Sequence, residues 1–226
     1  MMKIATDEAA RAQIMERIRS GTTDIIDKDP VTDVPITWTY GTGLEMDDVV
    51  GTFVAKVLDY QAEVVQVTPP EVPAAIVDGL AATGATNSVV VPPGLDKTWL
   101  DAIRASGLSV IVDSAEVGHG VLNRTDAVVT AASSAIADTG TILLTHGPAE
   151  GRRAISLVPD RHVCVVRASQ VVSDLPEAIR AVKQSVVDGK PLTMISGGSA
   201  TSDIELSRVD GVHGPRRLHV IVVDDA

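Results

Sequence analysis

The sequence predicts an α/β protein: a Rossmann-like layered sheet with helices on both faces. Three observations lead there. Helical and strand patterns alternate from residue 45 to residue 112. The strand candidates are short, continuous, β-branched runs, as expected of parallel strands buried on both faces. The chain is 45% hydrophobic yet has only two Trp, two Tyr and one Phe, so its core must be aliphatic.

Residues 7–19 read as a helix opened by Thr6 or Asp7, with Ile14, Met15 and Ile18 on one stripe, and Gly21 stops it. From Thr22 to Gly43 the pattern dissolves into Asp, Thr, Pro and Gly, the composition of a linker or wrapping arm. Residues 1–43 are therefore expected to form an N-terminal helix and extended arm, and residues 44–226 the α/β domain. Helical spacing returns over 45–60, where Val50, Phe53, Val54, Val57 and Leu58 share a face. Strand 63–67, helix 72–82, strand 88–91, helix 97–105 and strand 108–112 follow. Further strands are expected at 141–145, 162–166, 192–196 and 218–223. A helix over 174–187 is opened by Asp174 and Glu177 at capping-box spacing.

Composition excludes several functions. Thirty acidic against 19 basic residues give a net charge of −11. Such a surface repels phosphate backbones, and the scarcity of aromatics removes the platforms on which bases stack, so nucleic acid is not expected as a partner. The longest uncharged stretch, Gly79 to Leu95, is interrupted by Thr, Asn, Ser, Gly and two Pro, whereas a membrane span needs about 20 apolar residues. A single cysteine, Cys164, allows no internal disulfide and no four-thiolate centre. It lies in an apolar run and reads as a core residue of a cytoplasmic protein. The five histidines show no metal-ligand spacing, and His119 and His162 read as structural. No metal is expected.

Four loops carry polar chemistry next to strands. In Ala137-Asp138-Thr139-Gly140-Thr141, glycine lets the backbone approach a ligand while Thr139 and Thr141 offer hydroxyls. Asp138 serves either as an acid, base or acceptor, or as the closer of an Asx-turn. Gly151-Arg152-Arg153 follows a glycine-bracketed turn. Its guanidinium groups suit a carboxylate or phosphate, or a surface salt bridge equally. His146, just before that turn, reads as a packed polar residue. In Ser196-Gly197-Gly198-Ser199-Ala200-Thr201, small residues turn the chain beyond a strand, and Ser202 with Glu205 forms a capping box. Backbone N–H groups there would cradle an anion, although Asp203 and Glu205 carry the wrong charge to touch one. Gly211-Val212-His213-Gly214-Pro215-Arg216 reads either as a ligand clamp or as a rigid turn, with His213 bridging to Asp203 or Glu205.

Taken in order, Asp138-Thr139-Gly140-Thr141, Gly151-Arg152-Arg153 with Pro159 and His162, Ser202-Asp203-Ile204-Glu205, and Gly211-Val212-His213-Gly214-Pro215 resemble the LUD-domain family, in its lactate utilization protein C (LutC) branch. One departure stands out: the family reads Gly-Pro-Ser where this chain has Gly197-Gly198-Ser199. The resemblance implies a fold like the NagB/RpiA/CoA-transferase group. It also implies a part in oxidising L-lactate to pyruvate beside partner subunits that hold iron–sulfur clusters, with no cofactor in this chain. A small carboxylate or phosphate would then meet Thr139, Gly140, Thr141, Gly151, Arg152, Ser196, Gly197, Ser199, Thr201 and Arg216. The candidate catalytic residues are Asp138, Asp203, Glu205 and His213. Two other readings are a stand-alone sugar-phosphate isomerase or CoA-transferase-like enzyme using the carboxylates, and a purely structural assembly subunit.

Overall fold

The continuous β-branched runs pair into one parallel sheet. The computed structural model describes residues 8–25, 29, 35, 41–201, 209–211 and 213–225. The chain divides into two units, Met1–Tyr40 and Gly41–Ala226. In the first, helix α1 (Glu8–Gly21) leaves Ile14 and Ile18 of its apolar stripe exposed. Thr6, Asp7, Ser202, Asp203, Glu205 and Val212 lie outside the described residues.

The second unit begins with α2 (Val49–Asp59), whose N-terminus is capped by Asp48 accepting from the Gly51 amide at 2.7 Å. Strand β1 (Glu63–Val67), helix α3 (Val72–Thr83), β2 (Ser88–Val91), α4 (Lys97–Ala105), β3 (Ser109–Val112), the one-turn α5 (His119–Leu122) and β4 (Ala127–Ala131) follow. After β5 (Ser134–Ile136) and β6 (Thr141–Leu144) come α6 (Arg153–Leu157), β7 (Arg161–Arg167), β8 (Val171–Val172) and α7 (Leu175–Val187). The chain closes with β9 (Thr193–Ile195), β10 (Ala200–Thr201), β11 (Val209–Asp210) and β12 (Arg217–Val223). Six strands form the parallel sheet in the order β1-β12-β7-β4-β2-β3.

Alternation along each central strand sorts the core into two layers. Val163 and Val165 of β7 point to the face covered by α3 and α4, together with Ile76, Leu80 and Ile103. Cys164 and Val166 point to the opposite face with Phe53 and Val57 of α2. That second face is not covered by helices alone. A four-stranded sheet, β8-β5-β6-β9, lies over it with Ile142 and Leu144 facing inward. Helix α7 covers its outer side through Ala178 and Val182 against Ile136 and Leu143. The expected strands 141–145 and 192–196 thus belong to this second, mostly antiparallel sheet.

One close approach gives a direct test of packing. Gly79 of α3 lies against the His219 ring, which Glu63 holds at 2.9 Å, and a Cβ at 79 would come within 2.7 Å of that ring. In an open helix Gly→Ala gains about 1 kcal/mol. Here overpacking reverses the sign, and Gly79→Ala is expected to lower stability by about 1 kcal/mol in chemical denaturation.

Candidate functional site

Two clefts adjoin the glycine-rich turns singled out by the sequence. The first, of about 260 Å³, opens beside the turn that follows β9. Ser196, Gly197, Gly198 and Ser199 form one wall, and His213, Gly214 and Pro215 the facing one. The two walls are tied together: the Ser199 amide donates to the Pro215 carbonyl at 2.7 Å, and the Ser199 hydroxyl accepts from the His213 amide at 3.1 Å. Gly197 adopts φ +78°, the left-handed region that glycine enters without strain. Among the described residues, neither the Gly197 nor the Gly198 amide donates a hydrogen bond. Left-handed turns of this kind can present N–H groups to an anion. Ser156 and Leu157 of α6, Thr193 of β9, and His162 and Leu218 near the starts of β7 and β12 complete the lining. This cleft therefore sits at the amino ends of the central strands, not at the carboxyl ends where open α/β sheets usually place ligands.

Gly198 stands where the resemblance leads one to expect proline. A Cβ there would collide with the backbone carbonyl of Arg216. The glycine thus lets the turn close down on the start of β12.

The second cleft, of about 380 Å³, does lie at carboxyl ends, beyond β2 and β3. The chain runs outward from β2 to β3 and, on the other side, from β4 to β7, so the order reverses between β2 and β4. Pro93, Asp113, His146, Gly147, Pro148, Gly151 and Arg152 are among its lining residues. Asp113 is buried directly after β3, and its carboxylate takes Arg152 Nε at 3.0 Å and Nη2 at 2.6 Å. Arg152 Nη2 also donates to the Val117 carbonyl at 2.9 Å. His146 holds φ +59°, uncommon for a residue with a side chain. Its Nδ1 lies 3.1 Å from the Gly151 carbonyl and its Nε2 2.8 Å from the Thr193 hydroxyl. A carbonyl can only accept, so Nδ1 carries the proton and Nε2 accepts from Thr193. Burial pulls the His146 pKa below its ordinary value, so the ring is neutral near pH 7. Because Thr193 also lines the first cleft, this bond forms a shared wall between the two.

The loop behind that wall is organised by a residue that sequence reasoning passed over. Glu150 is 5% exposed. It accepts from the Thr145 amide at 2.6 Å, from the Gly147 amide at 3.3 Å and from the Ser133 hydroxyl. Asp113 was also missed, although a carboxylate at the end of a β-branched run is a readable signal in an α/β sheet.

The expected site residues divide as follows. Ser196, Gly197, Ser199 and His213 come together around the first cleft. Thr139 and Thr141 reach its rim through a hydroxyl chain, Thr139 to Thr141 at 2.7 Å and Thr141 to Ser196 at 2.7 Å. Gly140 lies at φ +59° against α2, where a Cβ would sit 2.8 Å from that of Lys56, so its role is in packing the turn. Asp138 is exposed at the same turn, with its amide on the Ser173 carbonyl. Gly151 and Arg152 belong to the second cleft. The carboxylate fork expected of Arg152 is filled from within the chain, by Asp113. Arg216 is likewise drawn outward, with Nε 3.3 Å from Asp160 on the surface. Thr201 ends the two-residue strand β10, paired with Val209. Asp203 and Glu205 lie outside the described residues. No group of three or more His, Cys, Asp or Glu converges among the described residues. None of the described helices is long and apolar enough to cross a membrane.

The LUD domain matches residues 4–223. A protein of Deinococcus radiodurans named lactate utilization protein C is 48% identical over 180 residues, covering 80% of this chain and 82% of that protein. One of the same name from Geobacillus thermodenitrificans is 25% identical over 202 residues, covering 83% of each. Among solved structures, a DUF162 family protein from Deinococcus radiodurans superposes with a TM-score of 0.67 at 43% identity, covering 80% of this chain and 99% of that one.

Proposed function

The chain belongs to the LUD-domain family, and from that premise we propose that it serves lactate utilisation as a subunit with no redox centre of its own. It works beside cysteine-rich iron–sulfur partners in the oxidation of L-lactate to pyruvate, a step that releases two electrons and two protons. The observation that carries this reading is the 48% identity, across four-fifths of both chains, to a protein named for lactate utilisation.

The chemistry of the chain agrees. Its single thiol, Cys164, is fully buried, and burial pushes its pKa up to about 12, so it supplies no thiolate for electron transfer or metal binding. In this reading the electrons pass to a partner. What the chain offers instead is anion recognition by neutral donors, through the Gly197 and Gly198 amides and the Ser196 and Ser199 hydroxyls. Arg152 acts in this reading as a positioning residue that fixes the second cleft through Asp113. A deletion strain of the source organism tests the proposal. It is expected to lose growth on L-lactate but not on glucose, and to regain it with the wild-type gene. Undiminished growth on lactate would overturn the reading.

A further inference from the structure

The second cleft gathers hydrogen-bond donors left over from the fold. Arg152 meets Asp113 through Nε and Nη2, and Nη2 also donates to the Val117 carbonyl. Nε has one hydrogen and Nη2 two, so both are spent. Nη1 has no partner among the described residues, and the side chain that carries it is 40% exposed. Lys190, in the link from α7 to β9, lines the same cleft, and its ammonium has no partner among the described residues either. The loop after β3 adds Ser114 and Ala115, whose amides donate to no described residue. Three separate segments thus bring donors to one cleft, at the carboxyl ends of strands and where the strand order reverses.

The charges there run against those of the whole protein. The chain carries a net charge of −11. In this cleft, however, Arg152 and Lys190 meet a single lining carboxylate, Asp113, which Arg152 already neutralises. Glu116 does not line the cleft, and its carboxylate accepts from the Ser114 hydroxyl at 2.6 Å. The Lys190 charge therefore calls for an anion, and the arrangement of the donors decides which. A planar carboxylate is best held by two parallel N–H groups of one guanidinium, and Asp113 has taken that fork. What remains is a set of single donors on separate segments, which suits an anion whose oxygens are set tetrahedrally. We infer that the second cleft binds a phosphate monoester, its phosphoryl group held by Lys190, by Arg152 Nη1 and by the Ser114 and Ala115 amides. A cleft of about 380 Å³ falls among sites for small organic ligands, roughly 300–1,000 Å³, so the phosphoryl group comes with an organic body. L-Lactate has no phosphoryl group. This ligand is a second one, and the inference does not depend on the lactate reading.

Calorimetric titration of the full-length protein with glycerol 3-phosphate, inorganic phosphate and acetate, at one ionic strength, tests this. Glycerol 3-phosphate is expected to bind about tenfold more tightly than acetate, and inorganic phosphate to compete with it. Lys190→Met keeps the aliphatic stem and removes the charge. It should weaken glycerol 3-phosphate binding about tenfold, the worth of one charge-assisted hydrogen bond, and Lys190→Arg should restore most of the loss. Lys190 is exposed, so neither substitution disturbs the core. Amide NMR of the wild type gives a second readout that needs no variant. Glycerol 3-phosphate should move the Ser114 and Ala115 resonances. Absent binding, equal affinities for glycerol 3-phosphate and acetate, binding of inorganic phosphate without the ester, or an unchanged affinity in Lys190→Met would each overturn the inference. So would movement of the Gly197 and Gly198 resonances in place of Ser114 and Ala115, which would put the anion in the first cleft.

Discussion

Replacing Glu150 by alanine is expected to lower the melting temperature by about 6–12 °C, the equivalent of about 3 kcal/mol in a domain of this size. The carboxylate is buried and accepts from the amides of Thr145 and Gly147 and from the hydroxyl of Ser133. Hydrogen bonds to a charged acceptor contribute about 1.5–3 kcal/mol each, and their loss strands two donors that water reaches poorly. The damage extends to function, because this loop presents His146 and Gly151 to the second cleft. Glu150→Gln retains a carbonyl for Thr145 and an amide for the Ser133 oxygen, and it should recover roughly half of the loss. Thermal denaturation of the three proteins decides the matter. A shift under 2 °C for the alanine variant would show that Glu150 does not hold the loop.

The second large effect is on acid stability. The pKa of His162 in the folded chain lies at about 4, below the ordinary value of 6.5, because burial penalises the charged ring. Below pH 6.5 the unfolded chain therefore binds a proton that the folded chain refuses. The stability tied to the neutral ring is fully present above pH 6.5 and is lost as pH falls from 6.5 towards 4, about 3 kcal/mol in total. Carboxylates also titrate in that window, so the comparison is between wild type and His162→Phe, in which their contributions cancel. Urea denaturation at pH 7 and pH 4 should show the wild type losing about 3 kcal/mol more than the variant. Equal losses would place the acid sensitivity elsewhere.

Much of the fold was legible because helix and strand periods differ and because Asp174 announces its helix, accepting from the Glu177 amide. Asp48 and Asp96 cap their helices in the same way but were not read as caps, and the helix that begins at Val49 was expected from residue 45. The strands β1, β2, β3, β7 and β12 stand where β-branched runs predicted them. Strand β4 was missed although it lies near the centre of the sheet. Its sequence Ala127-Val128-Val129-Thr130-Ala131 continues into Ala132-Ser133-Ser134, and an alanine-rich run has no period that separates strand from helix. In the second sheet, β6 and β9 stand in the expected segments 141–145 and 192–196, whereas β5 and β8 were missed because they are three and two residues long and only tertiary pairing distinguishes them from loops.

The site was half legible. Glycine turns and hydroxyls in the 196–199 and 211–215 segments pointed to the first cleft, because those residue types are chosen for backbone geometry that local sequence reveals. The arginines left a ligand and a salt bridge open, and the structure pairs Arg152 with Asp113 and Arg216 with Asp160. A guanidinium that follows a glycine turn looks the same in sequence whether it awaits a ligand or a buried Asp113 from 39 residues away. His162 read as structural because its neighbours are apolar. In three dimensions its Nε2 lies 2.8 Å from the Thr130 hydroxyl, and among the described residues its Nδ1 has no partner.

In the proposed reading this chain supplies recognition and its partners carry the electrons. The most direct test is anaerobic affinity isolation of the tagged protein from its own host grown on L-lactate, read by mass spectrometry, visible absorbance and dye reduction. The account predicts co-eluting cysteine-rich proteins, a brown iron–sulfur spectrum and dye reduction that depends on added L-lactate. A colourless protein that elutes alone and reduces no dye would contradict it.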